Sequence, residues 1–370
     1  MANSANTTSK SVRRIIFTGG GSAGHVTLNL ALIPWFLEHE WEIHYIGSKG
    51  GMEEELVAAF PAVRYYGIMT GKLRRYFSWQ NFADMAKIPL GCLQACRLVH
   101  KIKPDMIFSK GGFVSFPVVI GGFANRCKIL MHESDITPGL ANKMSLPFVD
   151  VFYTTFPETA HAVRQKEKVS CVGPVLSDRL FNGNRERGAA FAGLEADKPT
   201  VLVIGGSLGA KSLNEAVAAN LSAILQKYQL VHIAGKNGFN PAIKGRGYVQ
   251  YEYVDAELKD LLALADVVVS RAGSNSIFEL ASLNKPMILV PLPATASRGE
   301  QSLNAKSFAD KGYAEIIRDE EIAKPEVLLP MLDKVYAARA DYAEKMRQNP
   351  VKITSAEELC RQICAVCGVK

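Results

Sequence analysis

No stretch of this 370-residue chain is apolar for long enough to cross a bilayer as a helix. Met1–Ser11 is polar, rich in Ser, Thr and Asn, and lacks the apolar centre of a signal peptide. A short disordered lead-in over residues 1–11 and a chain that stays in the cytoplasm are therefore expected. There is no Asp-x-Asp pair and no grouping of His, Cys and carboxylates at metal-ligand spacing, so neither a metal nor another cofactor is expected. Seven cysteines, an odd number without regular spacing, suit reduced thiols better than a disulfide framework. Cys360, Cys364 and Cys367 come nearest to a zinc pattern, but a fourth ligand is missing and their spacing is that of one packed helix face. No recognised nucleic-acid-binding module is present, so nucleic acid is not an expected partner.

What is present describes a globular protein: 48% hydrophobic and 21% charged residues in a chain long enough for two domains. The net charge of +7 is unevenly placed. Residues 1–175 hold 19 Lys and Arg against 13 Asp and Glu, whereas residues 176–370 hold 24 against 23, so the first half is expected to face something anionic. Apolar strands alternate with helix-like segments from Val12–Thr18 onward. The rhythm restarts after the polar stretch Asn182–Lys198, and each half opens on a strand followed by a glycine turn. This pattern predicts an α/β fold of two doubly wound Rossmann-like domains facing each other across a cleft, hinged near Gly173–Asp178. The expected divisions are 12–175, 176–350, and a last segment, 351–370, whose helix crosses back to the first domain.

The most telling stretch is Val267–Ala305, read as strand (Val267–Ser270), turn, helix (about Ser274–Leu283), strand (Met287–Val290), polar loop and helix. In such a βαβ unit ligands bind where the strands end. That edge carries Arg271, Gly273, Ser274, Asn275, Ser276 and Glu279, and from the next loop Arg298, Glu300 and Gln301. Amides at a helix start suit a phosphate, and a carboxylate one turn in suits paired sugar hydroxyls; a nucleotide sugar has both. The alternative is that Ser276-x-x-Glu279 is a capping box with no ligand.

Three strand–glycine–helix junctions, at Gly19–Gly24, Lys110–Phe113 and Gly205–Gly209, can aim backbone amides at a diphosphate. Gly19-x-Gly21-x-x-Gly24 also matches the dinucleotide fingerprint, but the second strand ends Tyr45-Ile46-Gly47-Ser48 without the acid that holds ribose. Lys49 keeps an NADP reading open. His132-Glu133-Ser134-Asp135 follows another strand, where a buried, hydrogen-bonded His beside a capping carboxylate is the plain alternative. Lys72–Trp79 interleaves basic and aromatic residues, among them Arg74, Arg75, Phe77 and Trp79, and reads as a contact with an anionic membrane surface or else as a solvated helix face.

Taken in order, GGGSAGHV (19–26), SKGGFVSFP (109–117), HESDITPGLANK (132–143), GGSLGA (205–210) and SRAGSNSIFE (270–279) resemble the bacterial MurG family, the UDP-N-acetylglucosamine:lipid I N-acetylglucosaminyltransferases of peptidoglycan synthesis. The likeness runs from about Arg13 to Cys360. It implies the metal-independent GT-B architecture, a UDP-GlcNAc donor in the C-terminal domain, a lipid I acceptor on the N-terminal one, and a peripheral enzyme on the cytoplasmic face of the membrane. It implies that Ser207 faces the diphosphate, Val254 offers backbone contacts to uracil, Arg271 and Gly273–Ser276 lie along the nucleotide, and Glu279 holds the ribose. Gln301 then takes the sugar hydroxyls with Glu300 beside it in the donor site, Ser22, Ala23, Gly24 and Asp135 reach the transferred sugar, and Gly21, Lys110, Gly111, Gly112 and Phe113 contact the acceptor. His25 is the expected general base, with Glu133 and Asp135 as rivals. Glu300-Gln301 replaces a frequent Gln-Gln pair, and Leu176 stands where arginine is common, with Arg179 the nearest base. The remaining alternatives are another glycolipid transferase, such as one acting on diacylglycerol, an NADP oxidoreductase, and a non-catalytic lipid-binding module.

Overall fold

The computed structural model describes residues 12–71, 79–206, 209–293 and 298–368; side chains of Ala23 and of residues 79–86 are also outside the description. The 1–11 lead-in thus lies outside the described residues. The chain divides into two compact units, one of residues 1–133, 138–175 and 356–370, the other of 134–137 and 176–355.

The first unit runs β1 (Arg14–Thr18), α1 (Thr27–Glu38), β2 (Glu42–Ser48), α2 (Met52–Val57), β3 (Arg64–Ile68), α3 (Trp79–Ile102), β4 (Met106–Ser109), α4 (Ser115–Ala124), β5 (Lys128–Glu133), α5 (Leu140–Ser145), β6 (Val151–Thr154) and β7 (Val169–Cys171). Its strands form one parallel sheet in the order β3-β2-β1-β4-β5-β6-β7. The second unit runs α6 (Arg185–Ala192), β8 (Thr200–Ile204), α7 (Lys211–Ile224), β9 (Gln229–Ile233), β10 (Tyr248–Tyr251), α8 (Leu258–Leu264), β11 (Val267–Ser270), α9 (Ser274–Ser282), β12 (Met287–Leu289), α10 (Glu300–Asp310), β13 (Ala314–Ile316), α11 (Pro325–Ala337) and α12 (Arg339–Gln348). Its parallel order is β10-β9-β8-β11-β12-β13. The last helix, α13 (Ala356–Val366), belongs to the first unit.

The α/β class and the two doubly wound sheets are as expected. Strands such as TVLVI (β8) and VVVS (β11) are buried on both faces, which is why they read as unbroken apolar runs rather than alternating ones. On the first sheet, Ile15, Phe17, Ile43, Met106 and Phe108 pack under α1, and α13 adds Leu359, Cys360, Ile363 and Cys364 to that same cluster. The Cys360 thiol lies against the Leu32 carbonyl, so this cysteine is part of a packed face.

Strand order reverses once in each sheet: between β1 and β4, and between β8 and β11. Loops on either side of such a reversal diverge to opposite faces and leave a crevice at the carboxyl edge. Both glycine loops of the first unit flank one reversal, and the third glycine turn and the Arg271–Gly273 turn flank the other.

Candidate functional site

In the second unit, α7, α9 and α10 start beside one another, because they follow β8, β11 and β12, which are neighbours in the sheet. Among the described residues none of the three has a side-chain cap at its N-terminus; the cap positions are Ala210, Gly273 and Gly299. Uncapped first-turn amides carry partial positive charge and suit an anion. A Cβ added at Gly273 or Gly206 would meet open space, so the approach to these amides is clear. Ser207 lies outside the described residues.

The capping-box alternative is overturned. Helix α9 begins at Ser274 with Gly273 as its cap, so Ser276 is already inside the first turn and its side chain cannot cap. Glu279 sits one turn further on, half-buried, its carboxyl with no hydrogen bond or ion pair among the described residues. Burial alone lifts its carboxyl from the ordinary 4.5 to about 7. A desolvated acid without a partner is held at a cost that bound hydroxyls would offset. Val254, beyond β10, is buried, and among the described residues neither of its backbone groups is engaged in a turn or loop hydrogen bond.

Arg271 is committed within the protein. Its guanidinium pairs with Asp319, donates to Ser212 Oγ at 2.9 Å and to the Val290 carbonyl at 3.0 Å, which ties the turn after β11 to the end of β12. Gln301 Oε1 accepts from the Leu292 amide at 3.1 Å, while Glu300 opens α10 beside Arg298 at 3.7 Å. Asn275 is exposed and Ser274 donates to the Ser134 carbonyl at 2.6 Å.

Asp135 belongs to this unit as well. It accepts from Asn304 Nδ2 at 3.1 Å and pairs with Arg298 at 3.2 Å, and Asn304 Oδ1 in return accepts the Ile136 amide at 3.1 Å. Asn304 is fully buried and also donates to the Ala272 carbonyl. The sequence reading passed over Asn304; an asparagine on the inner face of a helix near a predicted site was the only available signal.

In the first unit the glycine loop after β1 and the one after β4 lean on each other: Gly20 N donates to the Gly111 carbonyl at 3.3 Å, and a Cβ at Gly112 would fall 2.2 Å from the Gly20 carbonyl. Gly111 and Gly112 both take positive φ, at 97° and 89°, which favours glycine at each. Gly21, Ser22 and Gly24 are exposed, His25 is half-buried in a 3₁₀ turn, Lys110 is buried and Phe113 is exposed. The Ala23 side chain is not described. Glu133 is buried, its Oε2 accepting from the Gly139 amide and from Asn142 Nδ2, both at 2.9 Å, so it holds the turn that leads into α5. His132 is buried too, but neither ring nitrogen has a partner, against the expectation of a hydrogen-bonded ring. Burial first, and the Lys110 charge second, hold its pKa well below the usual range. Leu176 is buried, and Arg179, the nearest base, is exposed. Arg74, Arg75 and Phe77 lie outside the described residues, and Trp79 opens α3 with its side chain undescribed.

Residues 15–154 match the glycosyltransferase family 28 N-terminal domain and residues 200–363 its C-terminal domain. A relative from Geobacillus kaustophilus, named UDP-N-acetylglucosamine--N-acetylmuramyl-(pentapeptide) pyrophosphoryl-undecaprenol N-acetylglucosamine transferase, is 49% identical over 91% of this chain and 94% of its own. The chain belongs to glycosyltransferase family 28. A relative from Bacillus cereus with the same name and the suffix 2 is 47% identical over 93% of this chain and 94% of its own. Among solved structures, Acinetobacter baumannii MurG superposes with a TM-score of 0.75 at 23% identity, covering 95% of this chain and 99% of that one, and the calicheamicin glycosyltransferase CalG4 with 0.68 at 12%, covering 97% and 99%. These likenesses carry the glycosyltransferase fold. Family membership makes the chain a glycosyltransferase and sets aside the NADP oxidoreductase and the non-catalytic module.

Proposed function

We propose that the enzyme transfers N-acetylglucosamine from UDP-GlcNAc to the 4-hydroxyl of N-acetylmuramic acid in lipid I, with inversion at the anomeric carbon. The observation that carries this reading is the second unit's trio of uncapped helix starts next to an unpartnered acid, Glu279, a pairing that suits a nucleoside diphosphate with its ribose. The relatives' names supply the sugar and the acceptor. In this reading the helix starts stabilise the negative charge that grows on the departing UDP, as oriented dipoles do. The acceptor hydroxyl attacks the anomeric carbon from the side opposite UDP, the bond to UDP breaks with its electron pair, and a base takes the hydroxyl proton. Of the three candidates, Glu133 accepts the Gly139 amide and Asn142 Nδ2, and Asp135 is paired with Arg298 and Asn304. His25, half-buried at the end of the exposed glycine loop after β1, is the base this reading assigns.

A membrane-borne acceptor calls for a membrane-facing surface. No helix among the described residues is long and apolar enough to cross a bilayer. Leu90, Leu93, Phe123, Leu140 and Met144 are exposed on α3, α4 and α5, which pack side by side, and exposed Arg97 and Lys143 accompany them. Apolar side chains among cations support peripheral docking on an anionic leaflet. The test is UDP release from UDP-GlcNAc with a lipid I analogue, with diacylglycerol, or with neither. Release that depends on the lipid I analogue supports the reading; release with diacylglycerol alone, or none, overturns it.

A further inference from the structure

Glu53 lies in the first turn of α2 at the head of a run of three glutamates, yet it has no exposed surface. Its Oε1 accepts the Ser48 amide at 2.7 Å and its Oε2 the Gly21 amide at 3.3 Å, and no Lys, Arg or His pairs with it among the described residues. The carboxyl group rests in a slot walled by glycines. A Cβ at Gly20 would fall 2.4 Å from it and one at Gly51 2.6 Å, while one at Gly47 would meet the Tyr65 hydroxyl at 2.3 Å and Glu53 Cγ at 2.8 Å. Gly20, Gly47 and Gly51 do not take positive φ, so what they provide is room rather than backbone freedom. A buried carboxylate without a counter-ion is costly and depends on such amide donors.

The slot lies between the loops after β1 and β2, the corner where a dinucleotide would set its diphosphate and ribose against a G-x-G-x-x-G turn. There the chain supplies its own anion, facing inward. The loop is held from other sides as well, by the Tyr45 hydroxyl on the Gly19 carbonyl at 2.8 Å and by Gly20 N on the Gly111 carbonyl. It continues directly into His25.

We infer that Glu53 is a positioning residue for the Gly19–His25 loop: its carboxylate fills the glycine slot, takes the Gly21 amide and fixes the loop for the acceptor side of the reaction. The consequence for turnover rests on the functional reading above; the anchoring itself does not. The experiment therefore has two arms on full-length Glu53→Gln, which keeps the shape but presents an amide donor to a backbone donor. Hydrogen exchange without substrates should accelerate at least tenfold in peptides covering 19–25 and 48–51, with α9 unchanged. Transfer to the lipid I analogue should lose at least tenfold in kcat/KM for the acceptor, while the dissociation constant of UDP, which lacks the transferred sugar, stays within twofold. Gly20→Ala, which leaves the carboxylate in place but intrudes on it, should give the same split and serves if Glu53→Gln does not fold. Unchanged exchange in the loop overturns the proposal, as does a parallel loss of UDP binding, acceptor kinetics and melting temperature. A wild-type enzyme without transfer activity would defeat the functional reading alone, since loop exchange still decides the anchoring.

Discussion

Replacing Glu279 by Gln should make the protein more stable and a poorer nucleotide-sugar binder at the same time. The carboxyl is half-buried, has no partner, and is lifted by burial from 4.5 to about 7. At about 1.4 kcal/mol per tenfold change in proton affinity, ionising it in the folded state costs up to about 3 kcal/mol relative to the unfolded chain. The folded state holds its proton between pH 4.5 and about 7 while the unfolded state does not, so this contribution to stability falls as pH rises through that window and is lowest above it. Glutamine removes the cost. After relaxation, a gain of about 1–2 kcal/mol, several degrees of melting temperature, is expected at pH 8 and should shrink toward pH 5. Binding moves the other way. A carboxylate that accepts two ribose hydroxyls loses one acceptor and its charge on becoming an amide, about 2–3 kcal/mol or roughly 30- to 150-fold in affinity. Wild-type affinity for UDP-GlcNAc should itself fall roughly 50- to 100-fold from pH 8 to pH 5 as Glu279 takes up its proton, because the sugar-linked diphosphate does not titrate there, and the Gln variant should be flat. Calorimetric titration across that range, paired with thermal melts, measures both. A variant that binds like wild type, or a wild type whose affinity ignores pH, refutes the assignment; a variant that melts lower refutes the burial argument.

His25→Ala should lower turnover by at least a hundredfold with UDP-GlcNAc affinity intact, the range expected for loss of a general base; near-normal turnover removes it from that role. Changing Leu90, Leu93 and Phe123 together to Ser should release the enzyme from vesicles containing phosphatidylglycerol without altering donor affinity, and unchanged co-sedimentation would count against docking through α3 and α4. Buried His232, bonded to Tyr248 and Asn214, has its pKa lowered by burial from 6.5 to about 4. The unfolded chain takes a proton there that the fold refuses, so stability should drop by up to about 3 kcal/mol as pH falls from 6.5 to 4. His232→Gln should remove that part of the urea-midpoint shift; an identical pH profile would show that His232 does not contribute it.

The alternation of strand and helix was legible because parallel strands are buried on both faces, so β8 and β11 stand out as apolar runs between glycine turns. Strand order was not, since nothing local in β1 says that β4 rather than β3 lies on its other side. At the site, errors came from shifts of one or two residues and from burial. Ser276-x-x-Glu279 has the spacing of a capping box, and only the start of α9 at Ser274 shows that its serine lies too far in to cap. Arg271 and Asn304 sit near the strand ends, yet their partners Asp319 and Asp135 are remote in sequence, so which of them is a latch and which a free cation or amide depends on tertiary contacts. Glu53 is the clearest case. A run of three glutamates on a short helix reads as a solvated face, and two of the three fit that reading; the third is fully buried because glycines at 20, 47 and 51 leave it a place. Glycines in ordinary backbone conformations around a loop therefore deserve to be read as space kept for another residue's side chain, and here that side chain is an acid.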